Sequence, residues 1–200
     1  MISNLVIETA VLKEGEKRYF LAIIPPEKIE KEIYGLKELV AEKFHSKAAL
    51  RSPAHITLHM PFLWKEAKEK VLIDKLVYAT KFNIFNLVLN GFAAFAPKTI
   101  YVKNEFSQPL MDFQAELAGF CKRELNLFNA THNRGYNPHI TIAFRDLKKE
   151  VFPKAWTFFQ QQEFSAKFEV DGFWLLKHDG KCWRAYQAFK FGAFQQVPEL

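Results

Sequence analysis

Two short stretches of the sequence carry the same pattern, a histidine and a threonine separated by one isoleucine. They are His55–Leu58, which reads HITL, and His139–Ile142, which reads HITI. Side chains two residues apart on a β-strand project from the same face, so each stretch presents an imidazole beside a hydroxyl. Imidazoles titrate near neutral pH, and hydroxyls donate hydrogen bonds to phosphate oxygens. The two motifs together predict acid–base chemistry on a phosphodiester without a metal ion.

The predicted elements around the two motifs follow the same order, strand, helix and strand. In the first half they are a strand at 18–24, an amphipathic helix from Pro26 to Phe44 and a strand at 55–60. In the second half they are a strand at 99–102, a helix at 109–127 and a strand at 138–144. We therefore predict two duplicated β-α-β lobes in one bilobal domain, residues 1–200, with a single active site between them.

Four residues are the candidate site. If the lobes pack about an approximate twofold axis, the two motifs face each other across one cleft. His55 and His139 are then the candidate catalytic pair, and Thr57 and Thr141 are the candidate phosphate-binding residues.

The remaining pattern predicts elements that complete the two lobes. They are a helix at 65–81, a strand at 84–95, a helix at 148–162, a strand at 168–176 and a strand at 182–191 after an Asp179-Gly180 hairpin turn.

The composition is that of an ordinary globular protein, because 49% of the 200 residues are hydrophobic and 25% are charged. It excludes a disordered or fibrous protein. The 21 phenylalanines could fill a core or stack on bases, and their spacing assigns most of them to the core. The net charge of +6 is consistent with an anionic substrate. Two cysteines are too few for a disulfide framework.

Neither a signal peptide nor a membrane span is predicted from the sequence. The first residues lack a positively charged segment leading into an apolar run, and no stretch approaches the length of a membrane helix. We expect a cytoplasmic monomer without a membrane partner.

Residues that flank the motifs give weaker signals. Arg134 and Tyr136 precede the second motif and Arg145 follows it, so we consider these three as candidate substrate contacts. An arginine can clamp a phosphate, and a tyrosine can stack on a base. Solvated charges and a core ring are the alternatives, and the sequence leaves them open. His59 falls in the His-x-Thr-x-His pattern with His55, on the same expected strand face.

A metal site at these two histidines has little support. Zinc sites need further ligands, and no carboxylate or cysteine lies close to His55 and His59 in the sequence. We predict no metal and no cofactor, and a zinc enzyme remains a third hypothesis.

The paired motifs resemble the signatures of the 2H phosphoesterase superfamily, which includes 2'-5' RNA ligase-like proteins and 2',3'-cyclic phosphodiesterases. The resemblance spans roughly Tyr19 to Phe191 and includes a glycine- and phenylalanine-containing hairpin at 90–102. It implies an α+β, bilobal fold, with antiparallel sheets lining a central cleft and helices outside. It also implies that His55 and His139 are catalytic.

The activity that the resemblance implies is cleavage of a 2',3'-cyclic phosphate or a 2'-5' linkage, with RNA ends or a small nucleotide as the partner. We take His55 as the acid and His139 as the base, although the symmetry of the motifs does not distinguish them. The alternative is an RNA- or nucleotide-binding module that uses the same cleft without turnover. It would bind RNA in a salt-dependent manner that the histidines do not affect.

Overall fold

Two antiparallel sheets of four strands each form the centre of the computed structural model, which describes residues 11–129 and 135–192. The strands are β1 (Glu16–Ile23), β2 (Ile56–Lys65), β3 (Phe85–Phe95), β4 (Thr99–Asn104), β5 (His139–Ala143), β6 (Ser165–Val170), β7 (Gly172–His178) and β8 (Trp183–Lys190). The α-helices of the described residues are α1 (Glu27–Phe44), α2 (Glu69–Val77), α3 (Gln108–Leu125) and α4 (Phe152–Gln160).

The motif-bearing strands lie at equivalent edges of the two sheets. The strand order is β2-β1-β7-β8 in the first sheet and β5-β4-β3-β6 in the second. In each sheet the motif strand pairs antiparallel with the strand that precedes its helix. The strands β2 and β5 are in contact with each other. The predicted α+β class with duplicated lobes and antiparallel sheets is therefore confirmed.

The strand β1 buries both of its faces, against different partners. Tyr19, Leu21 and Ile23 belong to the main hydrophobic core, which also contains side chains from all four helices. Phe20 and Ala22 point the other way and belong to a second, smaller cluster with Leu176 and the two tryptophans of β7 and β8. The side chains of β1 thus separate the helix-covered core from the side of the sheet on which the motif residues lie.

Hydrogen bonds to one carboxylate connect the two halves of the chain. Asp146 follows β5, and it accepts hydrogen bonds from the segment after α1. The Ser46 hydroxyl donates to Oδ1 at 2.7 Å, and the backbone N–H groups of Lys47 and Ala48 donate to Oδ2 at 2.7 and 3.0 Å. These bonds hold the end of the second motif strand beside the loop that leads to the first motif.

The helix predicted at 65–81 is shorter than expected. The α2 helix is limited to Glu69–Val77, between 3₁₀ turns at Glu66–Lys68 and Tyr78–Thr80. The strand β2 instead continues through Pro61 to Lys65. Because β2 is an edge strand, the N–H that proline lacks is not required by a neighbouring strand.

The single strand predicted at 168–176 is wrong, because the chain forms two strands there in different sheets. Phe168 and Val170 are buried in β6, whereas Phe173 and Leu175 are buried in β7. The parity of the buried positions therefore changes between the two strands. Gly172 lies at this crossing, where a Cβ atom would be 2.1 Å from the Phe189 carbonyl oxygen.

None of the helices in the described part of the chain is long and apolar enough to cross a membrane. The single domain over residues 1–200 stays a prediction.

The crossing at Gly172 predicts an unequal response to two glycine-to-alanine substitutions. Gly172→Ala should lower the free energy of unfolding by about 2 kcal/mol or more, because the new Cβ overlaps backbone that cannot move aside. Gly35→Ala, in α1 with open space around it, should raise it by roughly 0.5–1 kcal/mol. Urea unfolding of the three proteins measures both, and an equal response at the two sites would contradict the close approach.

Candidate active site

The two motif histidines are held in the same way. His55 directly precedes β2, His139 begins β5, and both side chains are half-buried. The Nδ1 atom of His55 lies 2.8 Å from the Pro53 carbonyl oxygen, and that of His139 lies 2.7 Å from the Asn137 carbonyl oxygen. A carbonyl only accepts, so Nδ1 carries the proton in both neutral rings. The Nε2 atom of each ring is left as the acceptor for a substrate or water.

Burial and neighbouring groups change the pKa values of the two imidazoles. Burial, the charge on Lys37 and the charge on His139 lower the pKa of His55 to about 4, against a raising effect of the Pro53 hydrogen bond. Burial also lowers the pKa of His139, and the hydrogen bond to Asn137 opposes it. Both rings therefore favour the neutral form more strongly than a free histidine does.

The threonines lie on the face that the alternation predicts. Thr57 is the ladder partner of Ala22, which belongs to the smaller cluster, and Thr141 is the partner of Tyr101. Both threonines are half-buried. The residues between and after them, Ile56, Leu58, Ile140 and Ile142, are buried in the main core. The structure thus brings the four predicted site residues to one side of the two edge strands.

Aromatic rings that the sequence analysis did not single out pack against both histidines. Phe20 lies 4.8 Å from the His55 ring, and Tyr101 lies 4.6 Å from the His139 ring, between ring centroids. Both rings come from the strand that precedes a helix and pairs with a motif strand. Side-chain alternation along those strands could have indicated both rings. Phe20 lies on the same face as Ala22, the partner of Thr57, and Tyr101 lies on the same face as its partner Thr141.

The segment that carries the Pro53 carbonyl is fastened to α1 by two charged side chains. Lys37 is 1% exposed, and its Nζ donates to the Ser52 carbonyl oxygen at 2.9 Å. The backbone N–H of Ala54 donates to Glu30 Oε1 at 3.3 Å. Burial lowers the pKa of Lys37 to about 8, and Glu30 opposes this. Lys37 lies four residues after Ile33, on the core-facing side of the helix, so helical periodicity could have indicated that it is buried.

The expectation that His59 shares a face with His55 is wrong. The pairing of β1 with β2 shifts register between Leu21 and Ala22, so His59 is the partner of Leu21, a main-core residue. His59 is 1% exposed, its ring lies 5.5 Å from that of Phe62, and its Nδ1 is 2.8 Å from the Met60 carbonyl oxygen. The described residues contain no group of three potential metal ligands.

The flanking candidates occupy different surroundings. Arg134 lies outside the described residues. The Tyr136 ring packs against the main core, and burial raises the pKa of its hydroxyl, so the structure favours a core ring there. Arg145 follows β5 with a left-handed backbone, φ 56°, and its guanidinium lies 4.9 Å from the centre of the Phe144 ring. Contacts of these residues with a substrate stay predictions.

The family of the chain follows from a sequence comparison. The 2'-5' RNA ligase superfamily matches residues 25–181, which include both motifs. The chain belongs to the 2'-5' RNA ligase superfamily. This confirms the resemblance to 2H phosphoesterases that the paired motifs indicate. A search of curated proteins gave no significant match to this superfamily member.

Solved structures share the fold of this superfamily member at low sequence identity. Escherichia coli LigT complexed with 3'-AMP has a TM-score of 0.63 at 19% identity, covering 88% of this chain and 99% of that chain. The same protein complexed with NADP+ has a TM-score of 0.57 at 18% identity, covering 89% and 99%. TT0787 of Thermus thermophilus has a TM-score of 0.59 at 17% identity, covering 87% and 97%.

The buried Lys37 predicts a pH-dependent difference between the native chain and its Lys37→Met variant. Between pH 8 and 10 the unfolded chain binds a proton at Lys37 that the folded chain releases, because the pKa of Lys37 is lowered to about 8. The stability of the native chain should therefore rise with pH relative to the variant, by up to about 1.4 kcal/mol per pH unit. Urea unfolding at several pH values measures this, and parallel curves would contradict it.

Proposed function

We propose that the chain is a 2H-type phosphoesterase that opens a 2',3'-cyclic phosphate, or cleaves a 2'-5' phosphodiester, of RNA or a nucleotide by paired-histidine catalysis. The observation that carries the proposal is the shared tethering of His55 and His139. Each Nδ1 is bound to a backbone carbonyl, which leaves the Nε2 atom of each ring as an acceptor, and the two motif strands are in contact. Two such groups supply both proton transfers of a phosphodiester hydrolysis without a metal ion.

The reaction needs one neutral and one protonated imidazole. The neutral imidazole accepts a proton from a water molecule as the water oxygen forms a bond to phosphorus. The bond between phosphorus and one ribose oxygen breaks, and the protonated imidazole donates its Nε2 proton to that oxygen. The product is a phosphate monoester with a free hydroxyl beside it. The hydroxyls of Thr57 and Thr141 donate hydrogen bonds to the phosphate oxygens that do not leave.

Several features support a nucleotide as the substrate. Lys103 is exposed and is the ladder partner of His139, so its cation lies on the same face as that imidazole. Lys37 adds a second cation close enough to affect the pKa of His55. Both favour an anion at the site. The structural neighbour LigT was crystallised with 3'-AMP, with NADP+ and with ATP.

The surroundings of the two histidines support an order of protonation. Burial lowers the pKa of both histidines, and the charges on Lys37 and His139 lower that of His55 further. From these additional charges we infer that the protonated ring is His139. His55 is then the base and His139 is the acid, the reverse of the assignment taken from the motifs. The two motifs alone do not show this difference, because the proximity of Lys37 to His55 is a contact of the tertiary structure.

The proposed function predicts loss of activity when either histidine is replaced. His55→Ala and His139→Ala should each lower the rate of hydrolysis of a nucleoside 2',3'-cyclic phosphate by about 100-fold or more, because each removes one proton-transfer group. The assay contains a chelator. His45→Asn is the matched control, since His45 is exposed and has a left-handed backbone that asparagine tolerates. It should keep the native rate.

Full activity in either alanine variant would contradict paired-histidine catalysis. Loss of activity with chelator in the native chain would support a zinc enzyme instead. An RNA-binding module would show no product and salt-dependent binding of RNA that both alanine variants retain.

The proposed function also predicts the pH dependence of kcat/KM, which reports the pKa values of the acid and the base in the free enzyme. The profile should be bell-shaped, with both limbs below the ordinary histidine value of 6.5, because burial lowers the pKa of both histidines. The residual activity of His55→Ala should lose the acidic limb, where the base becomes protonated. That of His139→Ala should lose the alkaline limb, where the acid loses its proton. The opposite pattern would reverse the two roles.

A further inference from the structure

An exposed aromatic ring stands beside one of the two histidines. Phe95 is the last residue of β3 and is 42% exposed. Its ring centroid lies 5.2 Å from that of His139, with the rings nearly perpendicular at 82°. It lies 4.5 Å from that of Tyr101. The ring is therefore part of the wall of the site and is also open to solvent.

The backbone places Phe95 on this face by strand parity. Phe95 is the ladder partner of Thr99, and Ala93 is the partner of Tyr101. Residues at these odd positions lie on the side of the second motif, whereas Phe92 and Ala94 pack against the main core. Core packing therefore explains the apolar side chains of Phe92 and Ala94, but it does not explain the exposed ring of Phe95. Exposed apolar area of this kind favours a ligand that covers it.

The ring that packs against the other histidine is itself covered by a second ring. Phe20, which contacts His55, is 3% exposed, and the Trp183 ring covers it at a centroid distance of 4.7 Å. The two halves are therefore equivalent in their histidines and threonines but differ in their rings. A flat group that stacks on a ring within reach of the reacting phosphate has an open place on the His139 side.

We propose that Phe95 is a stacking surface for the nucleobase attached to the ribose that carries the reacting phosphate. This inference rests on the proposed function and makes the substrate a nucleotide or an RNA end, not a cyclic phosphate of a bare sugar. Stacking on an aromatic ring suits any base, because every base has a π-face. The Lys103 cation, opposite His139 in the ladder, lies on the same face for a phosphate of the substrate.

The test compares adenosine 2',3'-cyclic phosphate with ribose 2',3'-cyclic phosphate, which lacks a base. Phe95→Ala should raise KM for the adenosine substrate about tenfold, because the stacking surface is lost. It should leave kcat/KM for the ribose substrate unchanged. Phe95→Trp should restore the native KM for the adenosine substrate, since a larger ring still stacks.

Phe128→Ala is the matched control for loss of an exposed ring. Phe128 is 66% exposed and lies under Lys122 of α3. This variant should keep the native kinetics with both substrates.

Two results would overturn the inference. One is an equal loss with both substrates in Phe95→Ala, which would mean that the ring only orients His139. The other is an unchanged KM for the adenosine substrate. Absence of hydrolysis of both substrates by the native chain would instead reject the proposed function. In that case calorimetric binding of adenosine 2'-monophosphate decides: Phe95→Ala should weaken it about tenfold, and equal binding by the two proteins overturns the inference.

Discussion

The structure depends on one constraint, the alternation of side chains along two edge strands. Each motif buries its second and fourth residues, Ile56 and Leu58 or Ile140 and Ile142, against the helix-covered core. The histidine and threonine at the first and third positions must therefore face the other way. Core burial dominates this choice of face, because each buried aliphatic side chain contributes roughly 1.5–3 kcal/mol. The chemistry therefore rests on residues whose orientation is set by packing and not by the site itself.

The orientation of the imidazole rings needs a second interaction, because side-chain alternation sets the face of the strand but not the angle of the ring. The carbonyls of Pro53 and Asn137 provide it by accepting from Nδ1. In the first half this carbonyl is itself held, since the neighbouring Ser52 and Ala54 are bound to Lys37 and Glu30 of α1. A buried lysine is costly unless its charge is satisfied. Here its cation also acts on the pKa of His55, so a structural contact has an electrostatic consequence.

The two halves are alike in backbone and unlike in what surrounds each motif. Both sheets place their motif strand at an edge beside the strand that precedes the helix. On the first sheet the buried ring of Phe20 contacts His55, whereas on the second sheet the exposed ring of Phe95 contacts His139. Duplication of the backbone accounts for the equivalent placement of the two histidines. Under the proposed function, the different rings beside the two histidines would orient an asymmetric substrate in one direction.

The sequence by itself determined the paired motifs, the face on which their side chains lie and the sheet-and-helix class, because these follow from local periodicity. It missed the break at Asp171–Gly172, the short α2 and the core position of His59. Only the tertiary structure decided these, since they depend on which strand lies opposite: a register shift against β1 turned His59 to the core, and the approach of Phe189 required Gly172. The same reason applies to the site. Local periodicity indicates the faces on which Lys37 and Tyr101 lie. Their positions beside the motifs, and that of Phe95, are long-range contacts that the tertiary structure decides.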